Sequence, residues 1–129
     1  MKGDLKSYYT LSAEMQQVVC YWLSKAIRPA AGIMYYSTDI IKRDYERETG
    51  LSIFNGQFKG AILASGYTPI NQPDHDWILR VRPTYDKRRV LHRIGRQYEE
   101  NNLPTFRINL LGEPDEELKR LVALALQAT

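Results

Sequence analysis

The chain has one cysteine, Cys20, and two histidines, His75 and His92, in 129 residues. A single thiol excludes an internal disulfide framework and any zinc site built on several thiolates, and it fits a reducing compartment. The two histidines lie on different segments without an H-x-x-x-H spacing, so no metal site is expected. Long apolar runs are also missing. No window approaches the roughly 18 consecutive apolar residues of a membrane span. Residues 1–9 carry Lys2, Asp4 and Lys6 where an exported chain would run from a charged start into an apolar stretch. These absences predict a cytoplasmic protein with no membrane partner. A Gly-rich phosphate loop, a nucleophile elbow and a well-spaced carboxylate dyad are all lacking, so the sequence predicts no enzyme and no cofactor. His75, between Asp74 and Asp76, reads as part of a hydrated turn, and Cys20, among Val18, Val19 and Trp22, as a small buried hydrophobe.

What is present describes one ordinary domain: 43% hydrophobic and 26% charged residues with a net charge of +3. That total hides an uneven distribution. Residues 1–36 sum to +2, 37–76 to −2 and 98–129 to −3, whereas 77–97 carries Arg80, Arg82, Lys87, Arg88, Arg89, Arg93 and Arg96 against Asp86 alone. Arginine's flat five-donor fork matches phosphate oxygens and guanine edges, which makes a polyanion a candidate ligand. The alternative is a solvated helix face whose arginines pair with the acidic segments on either side.

Apolar periodicity predicts a helix over 12–28, with Met15, Val18, Val19, Trp22, Leu23, Ala26 and Ile27 inward and Ser12 as its cap. Pro29 and Gly32 break it, and 33–36 is a short β-prone run. Ser37 or Thr38 caps a second helix that turns Ile40, Ile41 and Tyr45 inward, leaves Lys42, Arg43, Asp44, Glu46, Arg47 and Glu48 on its other faces, and closes at Gly50. Asn55 caps a short third helix over 55–65, with Phe58, Ala61 and Ile62 inward and Gly66 as its stop. Residues 67–70 and 77–82 read as strands joined by the polar loop 71–76. Trp77, Leu79 and Val81 alternate with Ile78, Arg80 and Arg82, so the two arginines share a face.

Pro83 and Thr84 start a fourth helix reaching about Asn101. Val90, Leu91, Ile94 and Tyr98 form its apolar stripe, and Arg89, His92, Arg93 and Arg96 a cationic ridge opposite. Phe106, Ile108 and Leu110 alternate in a further strand. Pro114, Asp115, Glu116 and Glu117 then open a last helix bearing Leu118, Leu121, Val122, Leu124, Ala125 and Leu126.

The order helix, strand, helix, helix, strand, loop, strand resembles the winged helix-turn-helix family in topology. The fold class expected is α+β, a winged-helix domain over 1–83 with a helix-strand-helix extension over 84–129 packed onto it as one unit. Residues 44–50 and 55–67 (Asp-Tyr-Glu-Arg-Glu-Thr-Gly and Asn-Gly-Gln-Phe-Lys-Gly-Ala-Ile-Leu-Ala-Ser-Gly-Tyr) also resemble short uncharacterised proteins of phages and mobile elements of Gram-positive bacteria, over about 37–82. The winged-helix resemblance implies that the third helix enters the major groove of double-stranded DNA, with Asn55, Gln57, Lys59 and Gly60 on its exposed face and Arg80 and Arg82 on the wing. Arg89, Arg93 and Arg96 would meet phosphates. The last helix is apolar over a wide arc, which predicts a homodimer contact through Leu118, Leu121, Val122 and Ala125, unless the first helix covers it. The function expected is a small DNA-binding regulatory or accessory factor of a phage or mobile element. The alternative is a protein–protein module whose lightly charged helix 55–65, rich in glycine and alanine, docks on a partner without DNA.

Overall fold

Ser12 starts the first helix: its hydroxyl accepts from the Met15 amide at 3.1 Å, and α1 (Ala13–Ala26) follows. The computed structural model describes residues 5–30, 36–71, 76–84 and 115–128. Before α1 lies a 3-10 strap, Leu5–Thr10, packed against the third helix. The helix ends two residues earlier than its apolar pattern suggests, because Pro29 biases Arg28 away from the α region and Ile27–Pro29 is strand β1. Ser37 caps α2 (Thr38–Thr49), and its hydroxyl donates in turn to Asp76 Oδ1 at 3.0 Å. Gly50 closes α2 at φ 74°, a left-handed conformation that favours glycine.

The third helix, α3 (Asn55–Ala64), is capped differently from the expectation. Phe54 is its N-cap, Asn55 is already helical, and Gln57 Oε1 accepts from the Phe54 amide at 2.9 Å. At its other end the Tyr67 amide donates to the Ile62 carbonyl and the Gly66 amide to the Leu63 carbonyl, with Gly66 at φ 94°. This pair of bonds is a Schellman stop.

The β-structure is small and antiparallel. Strand β2 (Tyr36–Ser37) pairs with β3 (Ile78–Leu79), and β1 pairs with β4 (Val81–Pro83). One stretch, 78–83, bent at Arg80, thus serves both pairs, aided by Ala30 N–H to Arg80 O and Thr38 N–H to Trp77 O. Of the expected strand at 33–36, Tyr36 lies in β2 and 33–35 fall outside the described residues. The expected strand at 67–70 is not formed. Its link to the ribbon is one ladder-like bond, Ile70 N–H to Ile78 O, and the Asn71 side chain joins the two sides by accepting from Ile78 N and donating to Asp76 O.

An aromatic column knits the three helices. The Trp22 and Tyr45 rings meet edge-on at 5.4 Å, and Tyr45 meets Phe58 at 5.8 Å. Ile41, Ile53, Ile62, Leu79 and Val81 fill in around it. Asp44 and Glu48, expected on outer faces of the second helix, are buried beside Ile41 and Tyr45, because the inward arc of α2 is wider than its apolar residues mark. The architecture is α+β.

The last helix, α4 (Glu116–Gln127), is capped by Asp115, which accepts from the Leu118 amide at 3.0 Å, and it packs on α1. Leu118, Leu121, Val122 and Ala125 are buried within this single chain. That corrects the expectation of a dimer contact at these four positions: α1 covers the stripe, while Ala123, Leu124 and Leu126 remain exposed beside it. Pro83 and Thr84, expected to start a helix, are the end of β4 and a bend; the rest of that helix, with Arg89, His92, Arg93 and Arg96, and the strand around Phe106 fall outside the described residues. Among the described residues, no helix is long and apolar enough to cross a membrane.

Candidate nucleic-acid interface

The alternation along 77–82 holds in three dimensions. Trp77, Leu79 and Val81 are buried, while Arg80 and Arg82 are exposed. Pairing adds a residue that the linear pattern did not single out, since Arg28 on β1 stands directly opposite Arg82. Arg80, whose carbonyl receives the Ala30 amide, is exposed at the bend that precedes this strand. Arg28 and Arg82 therefore share one exposed face of the ribbon, with Arg80 exposed next to it in sequence. The signal for Arg28 was Pro29, which commits the preceding residue to extended backbone.

Like charges directly opposite on an antiparallel pair are unfavourable by a few tenths of a kcal/mol. Among the described residues neither Arg28 nor Arg82 has an ion-pair partner to offset this. Lys25 extends the positive surface from the last turn of α1, its ammonium 5.7 Å from the Tyr21 ring centroid and its carbonyl tied to Thr84 Oγ1 at 2.6 Å. The Tyr67 hydroxyl reaches the Ile27 carbonyl at 3.4 Å; burial raises its pKa and the nearby Arg28 charge lowers it, burial prevailing.

The other expected contact surface is disposed differently. Asn55 is exposed and Gln57 partly so, with its carbonyl oxygen engaged at the cap of α3. Lys59 and Gly60, expected on an exposed face, are buried. Lys59 is 9% exposed, with its ammonium 5.2 Å from the centre of the Trp77 ring. Gly60 is covered by the strap: a Cβ there would run into Tyr8 Cβ and stand 2.7 Å from the Leu5 carbonyl oxygen. The small residues of α3 thus accommodate another protein element, as their size allows, but that element belongs to the same chain. Arg89, Arg93 and Arg96 are outside the described residues.

A shallow depression between the starts of α2 and α3 is lined by Thr38, Asp39, Lys42, Asn55, Phe58 and Lys59. The carboxylate of Asp76 already occupies the positive end of α2 beside it, accepting from Ser37 Oγ and from Asp39 N at 3.4 Å. Cys20 is partly exposed, and its sulfur lies 3.2 Å from the Tyr8 hydroxyl. Among the described residues no group of three or more His, Cys, Asp or Glu converges as metal ligands would.

Comparison with known proteins finds no matching family model, no matching curated protein and no matching solved structure.

Proposed function

We propose that the chain is a small double-stranded DNA-binding protein, a regulatory or accessory factor that grips the duplex through its arginine-bearing ribbon. The observation that carries this reading is the opposition of Arg28 and Arg82 on one exposed face of the ribbon. Two guanidinium groups held opposite each other by backbone pairing form a preorganised phosphate contact, and a polyanion relieves their mutual repulsion. The excess of arginine over acid continues in sequence past Thr84 through Lys87, Arg88, Arg89, Arg93 and Arg96. A winged-helix relationship is supported by the order α1, β1, β2, α2, α3, β3, β4, with the second and third helices between the strands, and by the antiparallel pairing of β1 with β4. The missing strand at 67–70 is a departure from that pattern. The phage or mobile-element setting rests on the resemblance over 37–82. The alternative of a partner docking on 55–65 loses its surface where the strap already lies.

The test is a fluorescence titration of the chain into labelled random duplex at two salt concentrations. If Arg28 and Arg82 neutralise two phosphates, these alone weaken affinity roughly 12-fold between 50 and 200 mM salt. Replacing Arg28, Arg80 and Arg82 together by Gln lowers affinity and reduces the slope of log K against log salt by about 0.9 for each phosphate no longer neutralised. An unchanged slope in a folded triple variant overturns the assignment.

A further inference from the structure

We propose that Arg28 and Arg82 together hold one phosphate group carrying two negative charges, the terminal phosphate of a DNA strand; the proposal rests on the DNA-binding reading above and names the group that this pair selects. Register places the two residues opposite each other, and the bonds on either side, Thr84 N–H to Ala26 O and Ala30 N–H to Arg80 O, make them a hydrogen-bonded pair. In such a pair the Cα atoms are about 5.5 Å apart and the side chains stand on the same face. Both arginines are exposed, and among the described residues neither has a carboxylate partner. Two forks that start this close can converge on one tetrahedral group, each presenting a pair of N–H donors to its oxygens. The polar groups nearby are engaged elsewhere. The Tyr67 hydroxyl donates to the Ile27 carbonyl, and the Lys25 ammonium lies beside the Tyr21 ring, 5.7 Å from its centre.

A phosphodiester inside a strand carries one negative charge and answers one of the two arginines, so a duplex whose ends are hydroxyls meets the pair with two separate groups. A phosphomonoester at a strand end differs in kind. It carries roughly −1.5 to −2 at neutral pH and offers three acceptor oxygens, which matches two forks at one point. One such group offsets the repulsion across the strand pair, and placing one group orders less of the ligand than placing two.

The experiment compares two internally labelled duplexes of one sequence and length, with phosphates or only hydroxyls at their strand ends. Contacts made elsewhere in the chain act on both duplexes alike, so the ratio of the two affinities reports the terminal group. The phosphate-ended duplex is expected to bind roughly threefold or more tightly at low salt, as one further exposed ion pair allows, and the ratio is expected to fall below about pH 6, where the monoester takes up a proton. Arg28→Gln and Arg82→Gln each relieve the repulsion and leave the buried side of the ribbon in place. Each is expected to bring the ratio close to one. A smaller ratio in the parent chain, a ratio unmoved by the drop in pH, or one that survives in either folded variant overturns the proposal. Equal binding of both duplexes leaves the DNA-binding reading standing, whereas absence of binding to either removes that reading and the proposal with it.

Discussion

Lys59 is the only cation of α3, and its position decides whether that helix presents charge to a ligand. Its stem is buried and its ammonium lies against the Trp77 ring, so it joins α3 to the start of the ribbon strand. Lys59→Ala removes both the stem packing and the cation–π interaction and is expected to destabilise the fold by about 1–2 kcal/mol. Lys59→Met, which keeps the stem volume, is expected to cost less, and both variants should retain whatever DNA affinity the chain has within roughly twofold, since the ribbon arginines proposed to meet phosphate stay in place. Urea denaturation and the duplex titration check the two halves separately. A large drop in affinity in a stable Lys59→Met variant would return Lys59 to the interface. Gly60 carries the complementary lesson. Gly60→Ala is expected to cost about 1–3 kcal/mol, because the added methyl meets Tyr8 and the Leu5 backbone, which cannot yield as a flexible side-chain tip would.

At the scale of elements, the three core helices were legible because apolar spacing and most of the end signals agree: Ser12, Ser37, Gly50 and Gly66 sit at helix ends where the sequence puts them, whereas α3 is capped by Phe54 in place of Asn55 and Ile40 of α2 faces outward. The strands were less legible, because each is two or three residues long and periodicity needs more than that to register. Residues 67–70 have β-prone composition, yet the chain needs only one bond there. Asn71 substitutes for a ladder by taking the Ile78 amide at 2.7 Å and giving to the Asp76 carbonyl at 3.2 Å. Asn71→Ala leaves the Ile78 amide without that acceptor and is expected to destabilise by about 1–2 kcal/mol, read as a lower urea midpoint with unchanged slope. Two of the three arginines of the candidate site, Arg80 and Arg82, were readable from alternation along one stretch of sequence. Arg28 became part of it only through pairing across 54 residues of sequence, a register that no local pattern encodes. The burial of Lys59 and Gly60 is invisible in local sequence for the same reason, since Trp77, which Lys59 meets, and the strap that covers Gly60 are both distant along the chain.

At the scale of the whole molecule, α1 organises what comes after the ribbon as well as what comes before it. The described chain leaves at Thr84, whose amide and hydroxyl are bonded to the Ala26 and Lys25 carbonyls, and returns at Asp115, which accepts from the Tyr21 hydroxyl at 2.9 and 3.1 Å. Tyr21 lies one helical turn before Lys25, so both ends are fastened to neighbouring positions on the same helix. Asp115 has a second task as the cap of α4, through the Leu118 amide. One carboxylate therefore starts the last helix and docks it. Asp115→Ala is expected to cost about 1–3 kcal/mol by removing the cap and the tyrosine hydrogen bond together. Tyr21→Phe is expected to cost about 1 kcal/mol, and adding it to Asp115→Ala should cost almost nothing further, a coupling that urea denaturation of the four proteins measures. Additive effects would mean that the two groups do not act as a unit. The same pair has a pH signature. Burial first, and then the bond to Asp115, push the Tyr21 pKa up to about 12. Folding thus favours the protonated hydroxyl, so the pair's contribution is complete below about pH 10, where tyrosine ionises in the unfolded chain, and fades as pH rises towards 12. Burial also raises the Tyr8, Tyr45 and Tyr67 pKa values, so alkaline loss of stability persists in Tyr21→Phe but with a shallower dependence than in the parent chain. Equal slopes between pH 10 and 12 would show that the Tyr21 hydroxyl does not hold α4 in place.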